Sequence, residues 1–231
     1  MDPQTLPPEE KALYEAIKRQ YKVAFEKLKI GEHTLHLLKM TDLEQVLAGK
    51  DPLADVASFP FWVRLWEADF VLAECMAAAP LAPESTVLEL RAGLGVPGLL
   101  VAARGYRVTL TDFDQIILDF ERINAAASKV GDRVRVARLD WLNPPEMERY
   151  DVILGSEILF REEFFAPLLA LMRSALKPGG TVYLAHDIQR RSVQPFLQMA
   201  EPHFRIAASR RRLKSLTGDK TVLLARLQAR D

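Results

Sequence analysis

The sequence of 231 residues has a single cysteine, no excess of either charge and no apolar run of membrane-spanning length. Because Cys75 stands alone, an internal disulfide and a cysteine-based zinc cluster are excluded. Lys and Arg total 31, as do Asp and Glu, so the chain lacks the overall positive field typical of nucleic-acid-binding proteins. The longest apolar-leaning region, residues 59–83, contains several charges, and we expect no bilayer-spanning helix.

The amino-terminal residues MDPQTLPPEEK are acidic and rich in proline. They lack the charged and then apolar pattern of a signal peptide. Together with the single cysteine, this pattern predicts a cytoplasmic protein with no membrane partner, and the charge balance predicts no nucleic-acid partner. Hydrophobic residues make up 49% of the chain, which is enough for a globular core. The oligomeric state is left open.

Residues 1–59 are predicted to form an extension built from a helix and a β-hairpin. Leu13, Ile17 and Tyr21 recur at helical spacing, and Gly31-Glu32 separates two alternating runs as in a two-residue hairpin. The predicted elements are a helix over 7–20, strands over 23–30 and 33–40, a short helix from the capping box at Thr41 to Gly49, and a loop over 51–59.

Residues 60–231 are predicted to form a separate domain. It opens with a helix over 61–79, and from Thr86 apolar strands alternate with helices, which indicates a parallel sheet with helices on both faces. The predicted strands cover 86–90, 107–111, 134–139, 151–155 and 181–185, and the helices cover 97–104, 114–127, 162–176 and 192–200. Two further runs, 204–213 and 220–227, predict a closing antiparallel hairpin.

The stretch Val87 to Gly98, VLELRAGLGVPG, predicts a strand, a glycine-rich turn and a helix. Gly93, Gly95 and Gly98 fit G-x-G-x-x-G, which lets a backbone approach a ligand closely at a helix N-terminus. Asp112 follows at the end of the next strand, where a carboxylate can accept hydrogen bonds from ribose hydroxyls. The set predicts a site for a nucleotide-like cofactor.

Three features favour an adenosine-based cofactor with an amino-acid group over a dinucleotide. Glu89 precedes the turn, where an anion suits a cationic head group better than a diphosphate. Asp140 and Trp141 follow the third strand and offer an acceptor and a ring to adenine. The closing hairpin is unlike a dinucleotide-binding half. A dinucleotide oxidoreductase stays the remote alternative.

These residues together resemble class I S-adenosylmethionine-dependent methyltransferases, over roughly residues 22–228. The motifs that carry the resemblance are Glu89-Leu-Arg-Ala-Gly-Leu-Gly95, Thr111-Asp112, Asn124, Leu139-Asp-Trp141 and Lys177-Pro-Gly-Gly180. The helix Phe61-Trp-Val-Arg-Leu-Trp66, the hairpin and the Leu-Asp-Trp triplet are similar to the branch of protein-lysine and nicotinamide-type methyltransferases. The resemblance implies a Rossmann-like, seven-stranded, mostly parallel α/β sheet and S-adenosyl-L-methionine as cofactor.

The resemblance also implies roles for individual residues. The methionine part of the cofactor would lie against Glu89, Ala92, Gly93 and Gly95, with Asp112 on the ribose hydroxyls. Phe113, Asp140 and Trp141 would surround the adenine, and Trp66 would close the pocket from the preceding helix. Ser156 and Glu157 would lie where the methyl group is transferred.

Two positions depart from the family pattern. Arg91 replaces the first glycine, at a strand end where we expect ordinary φ; its side chain would point to solvent or pair with the cofactor carboxylate, or alternatively block the methionine end. The family often has a tyrosine three residues after the acid, and here Glu157 is followed by Phe160. Glu157 is predicted to orient or deprotonate the acceptor amine, with a helix-dipole charge as the equal alternative.

The favoured function is methylation of a nitrogen acceptor, with a protein lysine side chain preferred. The alternatives are a small-molecule N-methyltransferase and a non-catalytic methyltransferase-like binding module. The scattered histidines His33, His36 and His203 predict no metal site. The pair His186-Asp187 is interpreted as strand-end residues bonded to backbone, with a place in the lining of the acceptor pocket as the alternative. Basic runs at 190–191 and 210–212 are interpreted as solvated charges, with an acidic protein substrate as the alternative.

Overall fold

The structure, a computed structural model, describes residues 1–42, 64–213 and 218–230. Most of the predicted short helix from Thr41 to Gly49, the loop over 51–59 and the first residues of the helix predicted over 61–79 lie outside these ranges. So does most of the turn between the last two strands. No helix in the described part of the chain is both long and apolar enough to cross a bilayer.

A seven-stranded sheet in the order β5-β4-β3-β6-β7-β9-β8 forms the centre of the fold. The first five strands in this order pair in parallel, and β9 pairs antiparallel with both β7 and β8. The strands are β3 (Thr86–Leu90), β4 (Arg107–Asp112), β5 (Val134–Arg138), β6 (Tyr150–Ser156), β7 (Leu176–Asp187), β8 (Phe204–Leu213) and β9 (Lys220–Ala229). The predicted fold class, with its closing antiparallel hairpin, is therefore confirmed.

Six α-helices occur in the described residues, and they cover both faces of the sheet. They are α1 (Pro8–Gln20), α2 (Glu67–Ala78), α3 (Val96–Ala103), α4 (Gln115–Ala127), α5 (Phe165–Ala175) and α6 (Val193–Ala200). A 3-10 turn, Glu162–Phe164, precedes α5. No helix forms between β5 and β6, where Pro144 and Pro145 interrupt the connection.

Alternation along β3 shows how the sheet divides the core into two hydrophobic layers. Val87 packs into the layer under α2, α3 and α4, whereas Leu88 and Leu90 pack into the layer under α5 and α6. All three side chains are fully buried. A strand that is apolar on both faces is typical of a parallel sheet covered on both sides.

The amino-terminal hairpin, β1 (Val23–Ile30) and β2 (His33–Met40), forms as predicted and packs on α3 and α4. Buried Asn124 joins it to the glycine turn: its Oδ1 accepts from the Leu38 N–H at 2.6 Å, and its Nδ2 donates to the Leu94 carbonyl at 3.1 Å. The hairpin thus braces the turn from behind. The boundary predicted at residue 59/60 lies outside the described residues and stays a prediction.

Two elements begin five or more residues away from their predicted starts. Helix α2 begins at Glu67 and residues 64–66 are not helical, because the Asp69 carboxylate accepts from the Trp66 N–H at 2.8 Å and caps the helix there. Strand β7 begins at Leu176, five residues before the predicted start at Thr181. Its pairing with β6 is irregular between Tyr150 and Val152.

One buried carboxyl group, on Glu121 of α4, has no hydrogen-bond partner for either oxygen among the described residues. Burial raises its pKa well above the ordinary value, and the nearby Asp112 and Glu89 raise it further. Folding therefore takes up protons at this group, and its contribution to stability falls as pH rises through the raised pKa.

We expect Glu121→Met to raise the free energy of unfolding at pH 7.5 by about 1–3 kcal/mol, because an apolar side chain of similar length removes the burial cost. Urea unfolding measures this. The gain should shrink at pH 5, where the native carboxyl is more readily protonated, and Glu121→Gln should gain less because its amide stays buried. A loss of stability in Glu121→Met would show that the carboxyl group is needed.

Candidate active site

The candidate site lies at the carboxyl edge of the parallel strands. Strand order reverses between β3 and β6, and ligands of open α/β sheets bind outside such a switch point. Four strands deliver predicted residues to this edge: β3 leads into the glycine turn, β4 ends at Asp112, β5 leads to Asp140, and β6 leads to Glu157.

The glycine turn is held open by left-handed backbone. Gly93 has φ 58° and Gly95 has φ 77°, a region that glycine adopts without cost. Arg91 also has φ 53°, so the expectation of ordinary φ at this position is wrong. A non-glycine residue held in this region is strained by on the order of 1 kcal/mol. This left-handed backbone therefore explains why the family pattern has glycine where this chain has Arg91.

Glu89 lies beneath the turn rather than on its ligand side. It is 1% exposed, and its Oε2 accepts from the Gly98 N–H at 2.7 Å. A Cβ atom at Gly98 would lie 2.5 Å from this oxygen, so the bond depends on glycine. Burial raises the pKa of Glu89 well above its ordinary value. The structure thus assigns Glu89 a supporting contact at the α3 N-terminus, and its contact with the methionine part of the cofactor stays a prediction.

A cavity of about 520 Å³, here named the loop cavity, opens beside the turn. It brings together five of the predicted cofactor residues, Arg91, Asp112, Phe113, Asp140 and Trp141, although they come from three separate loops. Ala92 and Gly95 are buried behind these residues. Together with Gly93 they form the turn that backs the site, and none of the three lines the cavity itself. The remaining lining residues are Asp114, Leu139, Leu142, Phe160, Arg161 and Phe164.

Asp112 is the buried acid of the loop cavity, with 4% of its surface exposed. One carboxylate oxygen accepts from the Phe113 N–H at 2.7 Å, and the other lies 3.4 Å from the Gly93 nitrogen. Burial raises the pKa to about 6, against the opposing effect of the Arg91 guanidinium. The turn and the end of β4 therefore hold this carboxylate in one orientation.

Aromatic rings form the opposite side of the loop cavity. Trp141 and Phe164 meet edge to face at 6.1 Å between ring centroids, and the Arg91 guanidinium lies 4.4 Å from the centroid of Phe160. Arg91 is half-buried here, so its side chain does not extend freely into solvent. Asp140 shapes the adjoining loop, since its oxygens accept from Leu142 N–H and Asn143 Nδ2.

Glu157 follows β6 with φ 53°, a strained conformation for a side chain of this length. Its Oε1 accepts from the Asp187 N–H at 2.6 Å, and its Oε2 forms an ion pair with Arg190 at 2.6 Å. Burial raises the pKa of the carboxyl group, whereas Arg190 and the Asp187 N–H lower it. The side chain is 12% exposed, so a narrow face of the carboxylate remains open.

Glu157 lines a second cavity of about 300 Å³, here named the mouth cavity. Trp66 lines this cavity and not the loop cavity. It precedes α2 rather than lying on it, and its predicted role of closing the cofactor pocket stays a prediction. Ser156 has a buried hydroxyl and lines neither cavity. The other lining residues are Arg64, Glu67, Ala68, Asp187, Arg190, Lys220 and Val222.

Sequence reasoning missed the roles of Arg190, Asp69 and Phe164. The interpretation of Arg190 as a solvated charge is incomplete, because its side chain forms an ion pair with Glu157. The signal for this contact is the position of Arg190 after β7, at the same edge of the sheet as the end of β6. Burial raises the pKa of Asp69 to about 6, and its carboxylate fixes the backbone of Trp66. His186 is bonded to backbone as predicted: its Nε2 accepts from the Leu159 N–H, and burial lowers its pKa to about 3.

The loop cavity fits the cofactor that the sequence implies. Its volume suits a nucleoside-sized ligand, and the buried Asp112 carboxylate offers acceptors beside aromatic rings. The backbone of the turn can pass this close to β4 only with glycine at position 95, since a Cβ atom there would lie 2.9 Å from a Leu110 methyl group. Arg91 supplies a cation at the same cavity, where a carboxylate of the ligand is favoured.

The raised pKa of Asp112 predicts pH-dependent cofactor affinity. In the predicted contact the ribose hydroxyls donate to the ionised carboxylate, so affinity is full well above pH 6 and is lost as the group is protonated below it. From a pKa of about 6, we expect the Kd for the cofactor to rise about tenfold between pH 8 and pH 5. Calorimetry at both pH values measures this, with circular dichroism to check the fold. A constant Kd would contradict the contact.

Comparison with known proteins identifies the family of this chain. A family model described as "Lysine methyltransferase" matches residues 62–203, more than half of the chain. Protein N-lysine methyltransferase METTL21A of Xenopus tropicalis is 32% identical over 148 residues, covering 62% of this chain and 68% of that protein. EEF1A lysine methyltransferase 3 of Mus musculus is 33% identical over 129 residues, covering 54% of this chain and 56% of that protein.

Solved structures agree with the fold. The N-methyltransferase NodS of Bradyrhizobium japonicum WM9, in complex with S-adenosyl-L-homocysteine, superposes with a TM-score of 0.59 at 20% identity, covering 82% of this chain and 97% of that chain. A TehB-like methyltransferase of Corynebacterium glutamicum gives a TM-score of 0.53 at 20% identity, covering 71% and 88%. The chain belongs to the lysine methyltransferase family and is an S-adenosylmethionine-dependent methyltransferase.

Proposed function

We propose that this chain methylates the side-chain nitrogen of a lysine on another protein, with the loop cavity holding the cofactor and the mouth cavity receiving the lysine. The observation that carries the second assignment is the mouth cavity itself. Trp66, Glu157 and Asp187 line it at the carboxyl edge of the sheet. Carboxylates favour an ammonium ion, and the Trp66 ring already receives one cation, since the Arg64 guanidinium lies 4.8 Å from its centroid.

In this proposal Asp112 accepts from the ribose hydroxyls, Phe113 and Trp141 lie against the adenine, and Asp140 accepts from its amino group. Arg91 pairs with the carboxylate of the methionine part. Bound S-adenosylmethionine supplies a methyl group already activated on a sulfonium. The protein therefore contributes mainly alignment and exclusion of water. The glycine turn lies behind these residues, and the predicted contact of Ser156 with the cofactor stays a prediction.

Glu157 is proposed to act on the acceptor amine. A lysine titrates near pH 10.4 and must lose a proton before its nitrogen can attack. Burial raises the pKa of the Glu157 carboxyl, which makes it a better acceptor of that proton, directly or through water. Arg190 and the Asp187 N–H hold the carboxylate in place. Phe160, where the family often has tyrosine, contacts Arg91 and lies on the loop-cavity side.

The direct test supplies the purified chain with methyl-labelled cofactor and a lysate from cells lacking the protein. The labelled species are identified, and the methylated residue is mapped by tandem mass spectrometry. We expect label on lysine in a small number of proteins. Label only on metabolites would favour small-molecule methylation, and label only on arginine or histidine would contradict the lysine assignment.

The finer expectations about this protein stay predictions alongside the proposed function. They are a cytoplasmic location, no nucleic-acid or membrane partner, and an amino-terminal extension distinct from a methyltransferase domain beginning at residue 60.

Arg91→Gly tests whether the arginine holds or obstructs the cofactor. Glycine relieves the strain at φ 53° but removes the cation, so we expect the Kd for S-adenosylmethionine to rise about tenfold. Arg91→Lys, which keeps the charge without the planar fork, should lie between the two. Calorimetry measures all three proteins. Tighter binding by Arg91→Gly would mean that the guanidinium blocks the cavity.

A further inference from the structure

The outer strand of the sheet, β8, carries an unusual cluster of positive charge. Its residues Arg210, Arg211 and Arg212 are exposed, and none of them forms an ion pair with a described residue. We name these three residues the basic ridge. Arginines on an edge strand discourage edge-to-edge pairing, which by itself would explain them. Two further observations indicate a ligand.

Arg211 of the basic ridge lies next to the mouth cavity, whereas Arg210 and Arg212 lie on the opposite face of the sheet, beside the same edge. In the antiparallel pairing of β8 with β9, Arg211 is opposite Val222 and Leu213 is opposite Lys220. Both Val222 and Lys220 line the mouth cavity. Because neighbouring strands are about 4.8 Å apart, a chain bound along the outer edge of β8 would run within about 10 Å of that cavity's wall.

A groove of about 520 Å³, lined by both polar and apolar side chains, continues along the same strand. Ile206 and Ala208 line it from β8 and Leu223 from β9, while Val193 and Leu197 line it from α6. Side chains alternate along a strand, so Arg210 and Arg212 lie on the same face of β8 as Ile206 and Ala208. One face of β8 thus offers two apolar positions followed by two cations.

We propose that β8 binds an extended, acidic segment of the substrate protein as an added strand; this rests on the proposed function and names the docking determinant of its substrate. Alternate side chains of that segment are apolar where they enter the groove and carboxylates where they meet Arg210 and Arg212. Backbone pairing supplies affinity, and the alternating side chains supply specificity. The acceptor lysine lies within about five residues of the acidic end, at about 3.3 Å per residue.

The pattern of β8 favours a peptide over single-stranded nucleic acid. Nucleic-acid platforms combine positive charge with exposed aromatic rings on which bases stack. The described part of β8 has one aromatic residue, Phe204, and it is buried. The face that continues from the basic ridge is aliphatic.

The test uses the full chain and two labelled peptides of equal length, each with one lysine. In the acidic peptide glutamate alternates with serine next to a valine-rich half, and in the neutral peptide glutamine replaces each glutamate. By fluorescence anisotropy we expect the acidic peptide to bind at least about tenfold more tightly, with affinity falling as salt rises. Arg210→Ala/Arg212→Ala should weaken its binding about tenfold.

A charge-matched control is Arg107→Ala/Arg122→Ala, which removes two exposed arginines from β4 and α4. It should bind the acidic peptide as the native chain does. Hydrogen exchange should also show new protection of β8 amides when the acidic peptide is bound. Equal binding of the two peptides, no change in the double variant, or tighter binding of a single-stranded oligonucleotide would overturn the proposal.

The two proposals fail differently. If lysate proteins are methylated on lysine at the native rate by Arg210→Ala/Arg212→Ala, docking on β8 is wrong and the proposed function stands. If the acidic peptide binds through the two arginines but no lysine is ever labelled, the acidic binding site stands and the proposed function is wrong.

Discussion

Replacing Glu157 by glutamine is expected to lower kcat on a mapped lysine acceptor about 100-fold, while the Kd for S-adenosylmethionine stays within about threefold. The glutamine keeps an oxygen for the Asp187 N–H but loses the negative charge that faces the mouth cavity. General acid–base catalysis by a placed side chain typically contributes about 100-fold or more. Single-turnover kinetics with labelled cofactor, together with calorimetry, separate the two quantities.

Two control variants separate chemistry from structure at this position. Glu163→Gln changes an exposed acid in the same segment, paired with Arg161, and should leave kcat unchanged. Glu157→Gly relieves the left-handed backbone at φ 53° but has no carboxylate, so it should be as slow as Glu157→Gln. If Glu157→Gln turns over within about threefold of the native rate, the carboxylate serves only to hold Arg190 in place.

For Asp112→Asn we expect the Kd for S-adenosylmethionine to rise about 30-fold. Hydrogen bonds to a charged acceptor are worth roughly 1 to 2 kcal/mol more than those to a neutral amide, and two ribose hydroxyls depend on this group. Stability should not fall, because burial penalises the native carboxylate that the amide replaces. The pH dependence of affinity predicted above should disappear as well.

Asp114→Asn is the matched control for this substitution. Asp114 also lines the loop cavity, but it is exposed, and no side-chain hydrogen bond from it caps α4. Its amide variant should bind the cofactor within about threefold of native. Equal losses in the two variants would indicate a general effect of charge, and an unchanged Kd in Asp112→Asn would remove the ribose assignment.

The arrangement of the sheet could be predicted because its signals are local. Apolar strands alternate with helices, and the edge residues Asp112 and Asp140 stand where those strands end. Their meeting in the loop cavity follows from parallel strands sharing one edge. The cofactor and the reaction came from the resemblance, and the family comparison confirms them.

Other features of the site depend on contacts between distant segments. Nothing near Glu89 in the sequence indicates that its carboxylate turns under the glycine loop to Gly98. Nothing near Arg190 indicates an ion pair with Glu157, 33 residues earlier. The left-handed backbone at Arg91 was missed because a strand end tolerates ordinary φ in general, whereas here the turn demands otherwise.

The most direct test of the central claim, that the glycine turn and Asp112 form a working cofactor site, is calorimetric titration of the native chain with S-adenosylmethionine and S-adenosylhomocysteine. We predict saturable binding of both at pH 8, with Kd values on the order of 10 µM, and a clear loss in Asp112→Asn. Absence of binding of either compound to the folded native chain would contradict the account.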